Sequence, residues 1–116
     1  MAKWINKFKY AANGLAHAYI TESTFVILSW FFVTLIALGI ICAISITEWM
    51  FIILFCCLAL VAELFNTIIE RICDVFTQGW IIKEIGIIKD LCAGAVLILS
   101  MCSLIVALIV FVPKIF

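Results

Sequence analysis

Polar residues in this chain come in short clusters between long apolar runs, and the spacing of the two kinds of position predicts four helices. In residues 2–19, Trp4, Phe8, Ala11, Leu15 and Ala18 recur three and four apart, while Lys3, Lys7, Tyr10, Asn13 and His17 fall on the other side. That period is helical, and a basic helix with Trp and Phe opposite its lysines suits a membrane interface or a protein face. Residues 23–47 carry no charge, a run longer than the ~20 residues that cross hydrocarbon. Glu22 and Glu48 flank it. The link 44–48 is short and lacks Lys and Arg, so the first two spans are antiparallel neighbours.

The second span, 49–74, contains no Gly or Pro. Its first part is apolar through Ala62. Then Glu63, Asn66, Glu70 and Asp74 follow, within an arc of about 80° on one face of a helix. Thr77-Gln78-Gly79 reads as a helix stop, and residues 75–88 as the main break of the second half. The third span runs over 90–112 and is closed by Pro113 and Lys114. The fold class expected is an all-α integral membrane protein with one domain: a surface helix over 1–21 and transmembrane helices over 23–47, 49–74 and 90–112.

Composition agrees. Of 116 residues, 69% are hydrophobic, and the net charge is zero. A soluble domain of this size cannot hide so much apolar surface, so lipid is its solvent. No basic patch interleaved with aromatics lies beyond the first residues, which excludes nucleic-acid binding. Most of the six cysteines lie in apolar runs, where Cys acts as a small hydrophobe, and no Cys-x-x-Cys pair occurs. His17, the single histidine, reads as a surface residue. Three spans put Lys3, Lys7 and Lys9 on the same side as Arg71, Lys83 and Lys89, leaving Lys114 opposite. The positive-inside rule makes the richer side, and the N-terminus, cytoplasmic.

The carboxylate stripe therefore faces the compartment that holds nucleotides. Ionisable groups in a membrane helix face a partner or a wet site, and this set suits phosphoryl transfer to a lipid. Glu22 and Glu70 offer hard oxygens for Mg²⁺, Lys89 and Lys3 cations for phosphates, Glu63 a proton acceptor and Asn66 an orienting amide. Structural readings stand beside these roles. Glu70 and Arg71 also fit a solvated helix end, Lys89-Asp90 a helix start, and Asn66 interhelical glue. Glu63, flanked by Ala62, Leu64 and Phe65, is the hardest to explain structurally. The glycines form no phosphate loop, so such a kinase is unrelated to P-loop enzymes. A small proton-coupled transporter with a membrane acid, or a packing subunit without catalysis, also fits size and span count.

Three blocks resemble the prokaryotic diacylglycerol kinase family, small membrane enzymes that include undecaprenol kinases. Glu63-x-x-Asn66-Thr67-x-x-Glu70-x-x-x-Asp74 matches its signature. Lys89-Asp90-Leu91-Cys92-Ala93-Gly94-Ala95-Val96 is similar to its second block. Phe8-Lys9-Tyr10-Ala11 through Gly14, Ala18, Glu22 and Phe25 is similar to its first. The resemblance implies a homotrimer of three-span subunits in the bacterial cytoplasmic membrane, with active sites shared between neighbours. It implies ATP and Mg²⁺, with Glu63 as proton acceptor and Glu22 and Glu70 as metal and nucleotide ligands. It also implies that Asn66, Lys89 and Asp90 join the nucleotide site, that Lys3 and Tyr10 lie near nucleotide and lipid, and that Asp74 supports the site.

The chain departs from the family pattern in four places. Lys3 stands where Arg is common, Phe65 and Ile68 are bulkier than usual, Val26-Ile27-Leu28 is wholly apolar, and residues 77–88 lack a Glu-x-His segment. The stretch Tyr19-Ile20-Thr21-Glu22-Ser23-Thr24-Phe25 resembles the Gram-negative diacylglycerol kinases. That favours diacylglycerol as substrate, with undecaprenol as the alternative.

Overall fold

A computed structural model describes residues 2–116 as four helices: α1 Ala2–Thr21, α2 Ser23–Cys42, α3 Ile46–Thr77 and α4 Lys83–Ile115. Helices α2, α3 and α4 are each long and apolar enough to cross a membrane. Many large apolar side chains on them face outward, among them Ile40, Ile41, Ile98 and Ile109. In water such a surface would aggregate; in lipid it is the solvated face.

Only Glu22, with an extended backbone, separates α1 from α2. The Tyr19 ring meets the Phe25 ring edge-on with centroids 4.7 Å apart. The hydroxyls of Tyr19 and Ser29 lie 2.9 Å apart. These contacts fold the end of α1 against the start of α2. Along α1 only Ala18 is buried, and Lys7 Nζ sits 4.9 Å from the centre of the Trp4 ring.

The turn between α2 and α3 takes three residues, 43–45. Ala43 adopts the left-handed conformation that ends α2, and Ser45 caps α3. The Ser45 hydroxyl accepts from Glu48 N at 3.2 Å, and Glu48 Oε1 accepts from Ser45 N at 3.0 Å. This capping box satisfies two backbone donors that the helix start would otherwise leave unpaired. Lys114 Nζ lies 3.3 Å from Glu48 Oε1, joining the end of α4 to the start of α3. The packed core sits at this end, where Leu35, Ile44, Ile52, Cys56, Ala107, Val110 and Phe111 interlock. The α3–α4 pairing is the most extensive of the helix contacts. Within it, Ser103 Oγ lies 3.0 Å from the Phe55 carbonyl of α3 and 2.9 Å from the Leu99 carbonyl of its own helix.

The boundaries differ from the hydrophobic pattern in three places. The first uncharged run reaches residue 47, but α2 stops at Cys42 because Ala43 turns left-handed and Ser45 opens the next helix. Helix α3 continues through Asp74 to Thr77 and stops where Gln78 and Gly79 take positive φ. The break expected over 75–88 is confined to residues 78–82, because Lys83–Ile88 lacks Pro and continues the helix; Gly86 N already donates to the Ile82 carbonyl at 3.2 Å. Pro113 does not close α4, which reaches Ile115. At about 1.5 Å per residue α3 and α4 approach 50 Å, well beyond the ~30 Å of hydrocarbon, so each has turns outside it.

Gly39 has a packing reason. A β-carbon there would lie 2.6 Å and 2.8 Å from ring atoms of Trp49, closer than any carbon–carbon contact allows. Gly39→Ala should therefore lower stability by about 1–3 kcal/mol, read from thermal unfolding in detergent. The Trp49→Phe background should recover most of that loss. An unchanged midpoint for Gly39→Ala would show that the ring does not rest on this glycine.

Candidate active site

The site begins where α3 leaves its apolar run. Glu63, Asn66 and Thr67 are buried, at 6%, 7% and 9% exposure. Glu70 is half-buried and Asp74 exposed. One helical stripe thus runs from the interior toward the open end of the molecule, and helical periodicity alone puts these groups in register.

Asn66 Nδ2 donates to Glu70 Oε1 at 3.1 Å. An ionised carboxylate only accepts, so the amide must present its nitrogen. Asn66 Oδ1 is then left buried with no partner among the described residues. Buried polar atoms are nearly always bonded, and an exception marks a place for a ligand, water or ion. Glu63 lies two helical turns from Glu70 on the same face of α3, and Glu22 reaches α3 through Arg71, the neighbour of Glu70.

Two cations border them. Arg71 Nη2 reaches Thr21 Oγ1 at 3.2 Å and Glu22 Oε1 at 3.4 Å. Thr21 donates its own proton to the His17 carbonyl at 2.8 Å, leaving a lone pair for Arg71. Lys89 of α4 pairs with Asp74 of α3 across the turn, at 2.5 Å. Between α1 and α3 runs a groove of about 530 Å³, lined among others by Ala18, Glu22, Leu64, Thr67, Ile68 and Arg71. Its walls are mostly apolar, and its polar groups are His17, Thr21, Glu22, Thr67 and Arg71.

Among the sequence candidates, the structure brings Glu63, Asn66, Glu70 and Glu22 into one cluster and ties Lys89 to Asp74 beside it. Lys3 and Tyr10 do not join it within one chain. Both are exposed on α1, and neither bonds a cluster residue among the described side chains. Asp90 is exposed and borders a different groove on α4, with Leu91, Gly94 and Ala95. Arg71 was legible in the sequence only as a basic residue at a helix end. Its contacts with Thr21 and Glu22 span about fifty positions, which no local pattern reports.

Among the described residues no three His, Cys, Asp or Glu side chains gather closely enough to cage a metal. The donor set nevertheless fits Mg²⁺, which takes one or two carboxylates and completes its shell with water and substrate phosphates. Glu22 and Glu70 are the carboxylates that would hold it, and the unpartnered Asn66 Oδ1 is a further hard oxygen on the side chain bonded to Glu70. The six cysteines are unpaired thiols.

The family model described as prokaryotic diacylglycerol kinase matches residues 9–111. The undecaprenol kinase of Bacillus subtilis (strain 168) is 31% identical over 114 residues, covering 97% of this chain and 90% of that protein.

Asn66 offers a test of whether the cluster exists for packing or for chemistry. Asn66→Leu removes an unpaired buried carbonyl, and water can replace the amide at half-exposed Glu70. Its thermal midpoint in detergent should therefore hold or rise, by up to about 1 kcal/mol. A loss above about 2 kcal/mol would mark Asn66 as structural glue.

Proposed function

We propose that this chain, which belongs to the prokaryotic diacylglycerol kinase family, transfers the terminal phosphoryl group of ATP to the hydroxyl of diacylglycerol, giving phosphatidic acid. Family membership makes it a membrane lipid kinase with ATP as donor. It also displaces the transporter and packing-subunit readings, neither of which consumes ATP.

The observation that carries the mechanism is Glu63, a buried carboxylate on a membrane helix with no hydrogen-bond partner among the described residues. A lipid hydroxyl is a weak nucleophile. Glu63 accepts its proton as the new oxygen–phosphorus bond forms and the bond to the leaving ADP oxygen breaks. Asn66 orients Glu70 through the 3.1 Å bond. Glu22 and Glu70 are assigned to Mg²⁺, which when bound neutralises phosphate charge. Lys89 and Asp90 are assigned to the nucleotide, and Asp74 supports the site by holding Lys89. Lys3 and Tyr10, apart from the cluster within one chain, are assigned to nucleotide and lipid in a homotrimer whose sites are shared between neighbours. Lys3, Lys7, Lys9, Arg71, Lys83 and Lys89 outnumber Lys114. That asymmetry supports a multi-pass protein of the bacterial inner membrane with its N-terminus and site on the cytoplasmic side.

The substrate reading rests on the block from Tyr19 to Phe25. A second reading, undecaprenol, is favoured by the undecaprenol kinase at 31% identity. Purified protein in mixed micelles, given labelled Mg-ATP with each lipid in parallel, separates the two. Label in phosphatidic acid is the expected result. Label only in undecaprenyl phosphate would replace the substrate and keep the mechanism, whereas label in neither lipid from folded protein would sink the function.

Glu63→Gln keeps size and removes basicity. Its turnover should fall by at least about 10²-fold while the oligomer and ATP binding persist. Full activity in that variant would remove Glu63 from the mechanism.

A further inference from the structure

Beside the groove, α3 and the α1–α2 junction carry the carboxylates Glu22, Glu63, Glu70 and Asp74, and any phosphate entering there must find a cation. Lys89 is engaged by Asp74, and Lys3 makes no bond to the cluster among the described side chains. Arg71 differs from both. Its side chain is half-exposed and lines the groove between α1 and α3, next to Glu22 and Thr67. Its two bonds, to Thr21 and Glu22, both use Nη2. A guanidinium has five N–H donors, so the three on Nη1 and Nε remain, and they have no partner among the described residues. The Glu22 bond is long at 3.4 Å, a loose hold for a charged pair whose usual separation is about 2.7–2.9 Å.

We propose that Arg71 is a phosphate-binding residue of this site, held on Thr21 and Glu22 through Nη2 while its remaining donors take a phosphorylated ligand. The proposal rests on the lipid-kinase reading. A planar fork that offers two parallel N–H groups fits a phosphoryl group better than a lysine point charge does. The groove it lines is apolar along Ala18, Leu64 and Ile68 and polar at the Arg71 end. The phosphate can therefore belong to the nucleotide or to a phosphorylated lipid; the chemistry is the same. Thr21 lines the same groove, and its hydroxyl fixes the guanidinium.

The test is equilibrium binding in detergent micelles, with Mg-ATP and phosphatidic acid titrated separately into wild type, Arg71→Lys and Lys114→Gln. Thermal unfolding of each confirms the fold. Arg71→Lys keeps the charge and loses the fork, and it should weaken one ligand about tenfold or more while Lys114→Gln, whose partner Glu48 lies at the opposite end of the bundle, stays within about twofold. Weakening of Mg-ATP alone assigns the fork to the nucleotide, and weakening of phosphatidic acid alone assigns it to the lipid phosphate. Equal affinity of wild type and Arg71→Lys for both ligands overturns the proposal. So does an equal loss in Lys114→Gln, which would make the effect one of general stability, and so does a wild type that binds neither ligand. Failure of the lipid-kinase reading shows separately, as wild-type protein that binds but transfers no phosphate to any lipid.

Discussion

The structure depends on α3 remaining one unbroken hydrogen-bonded rod from Ile46 to Thr77. A membrane offers no water to replace a lost backbone bond, so an interruption inside the hydrocarbon carries a large penalty. The same rod packs Ile52 and Cys56 into the core and presents Glu63, Asn66 and Glu70 farther along. Core and site are thus held at a fixed spacing and a fixed rotation by one element. A register shift in the core would swing the carboxylates away from α1 and α2.

The two ends of the bundle use polar groups in opposite ways. At the capped end, Ser45, Glu48 and Lys114 satisfy one another almost completely. At the other end the partners are fewer than the groups. Asn66 keeps a bare carbonyl oxygen, Glu63 has no bonded neighbour among the described residues, and Arg71 uses one of its three nitrogens. Complete satisfaction suits a hinge that must not move. Incomplete satisfaction at a buried stripe suits a place where another molecule supplies the missing bonds.

The stripe on α3 was legible in the sequence because it depends only on helical periodicity and an uninterrupted run. The all-helical, three-span architecture followed from runs that exceed the hydrocarbon thickness. The helix ends were less legible. Gln78 and Gly79 mark the stop clearly, but nothing local shows that Lys83–Ile88 belongs to the next helix, since its isoleucines fit an interfacial segment equally well. Pro113 misleads because it removes only its own N–H from the ladder while its fixed φ is helical, and the helix runs on to Ile115 with Phe116 N donating to the Val112 carbonyl at 3.0 Å. The pairings Arg71–Glu22, Lys89–Asp74 and Lys114–Glu48 were out of reach. Each joins different helices, and charge alone does not say which acid a cation chooses. Lys3 and Tyr10 show the reverse: a motif marks them, and the geometry of one chain leaves them apart.

The three-residue turn between α2 and α3 also bears on how the protein is made. So short a link keeps the end of α2 beside the start of α3, and the two pair as an antiparallel hairpin. The capping box that closes the turn is local and needs nothing from later in the chain. The hairpin can therefore form during synthesis, before α4 has emerged from the ribosome. Lys114 then arrives at a Glu48 already positioned to receive it, and that last contact acts as a latch on the assembly.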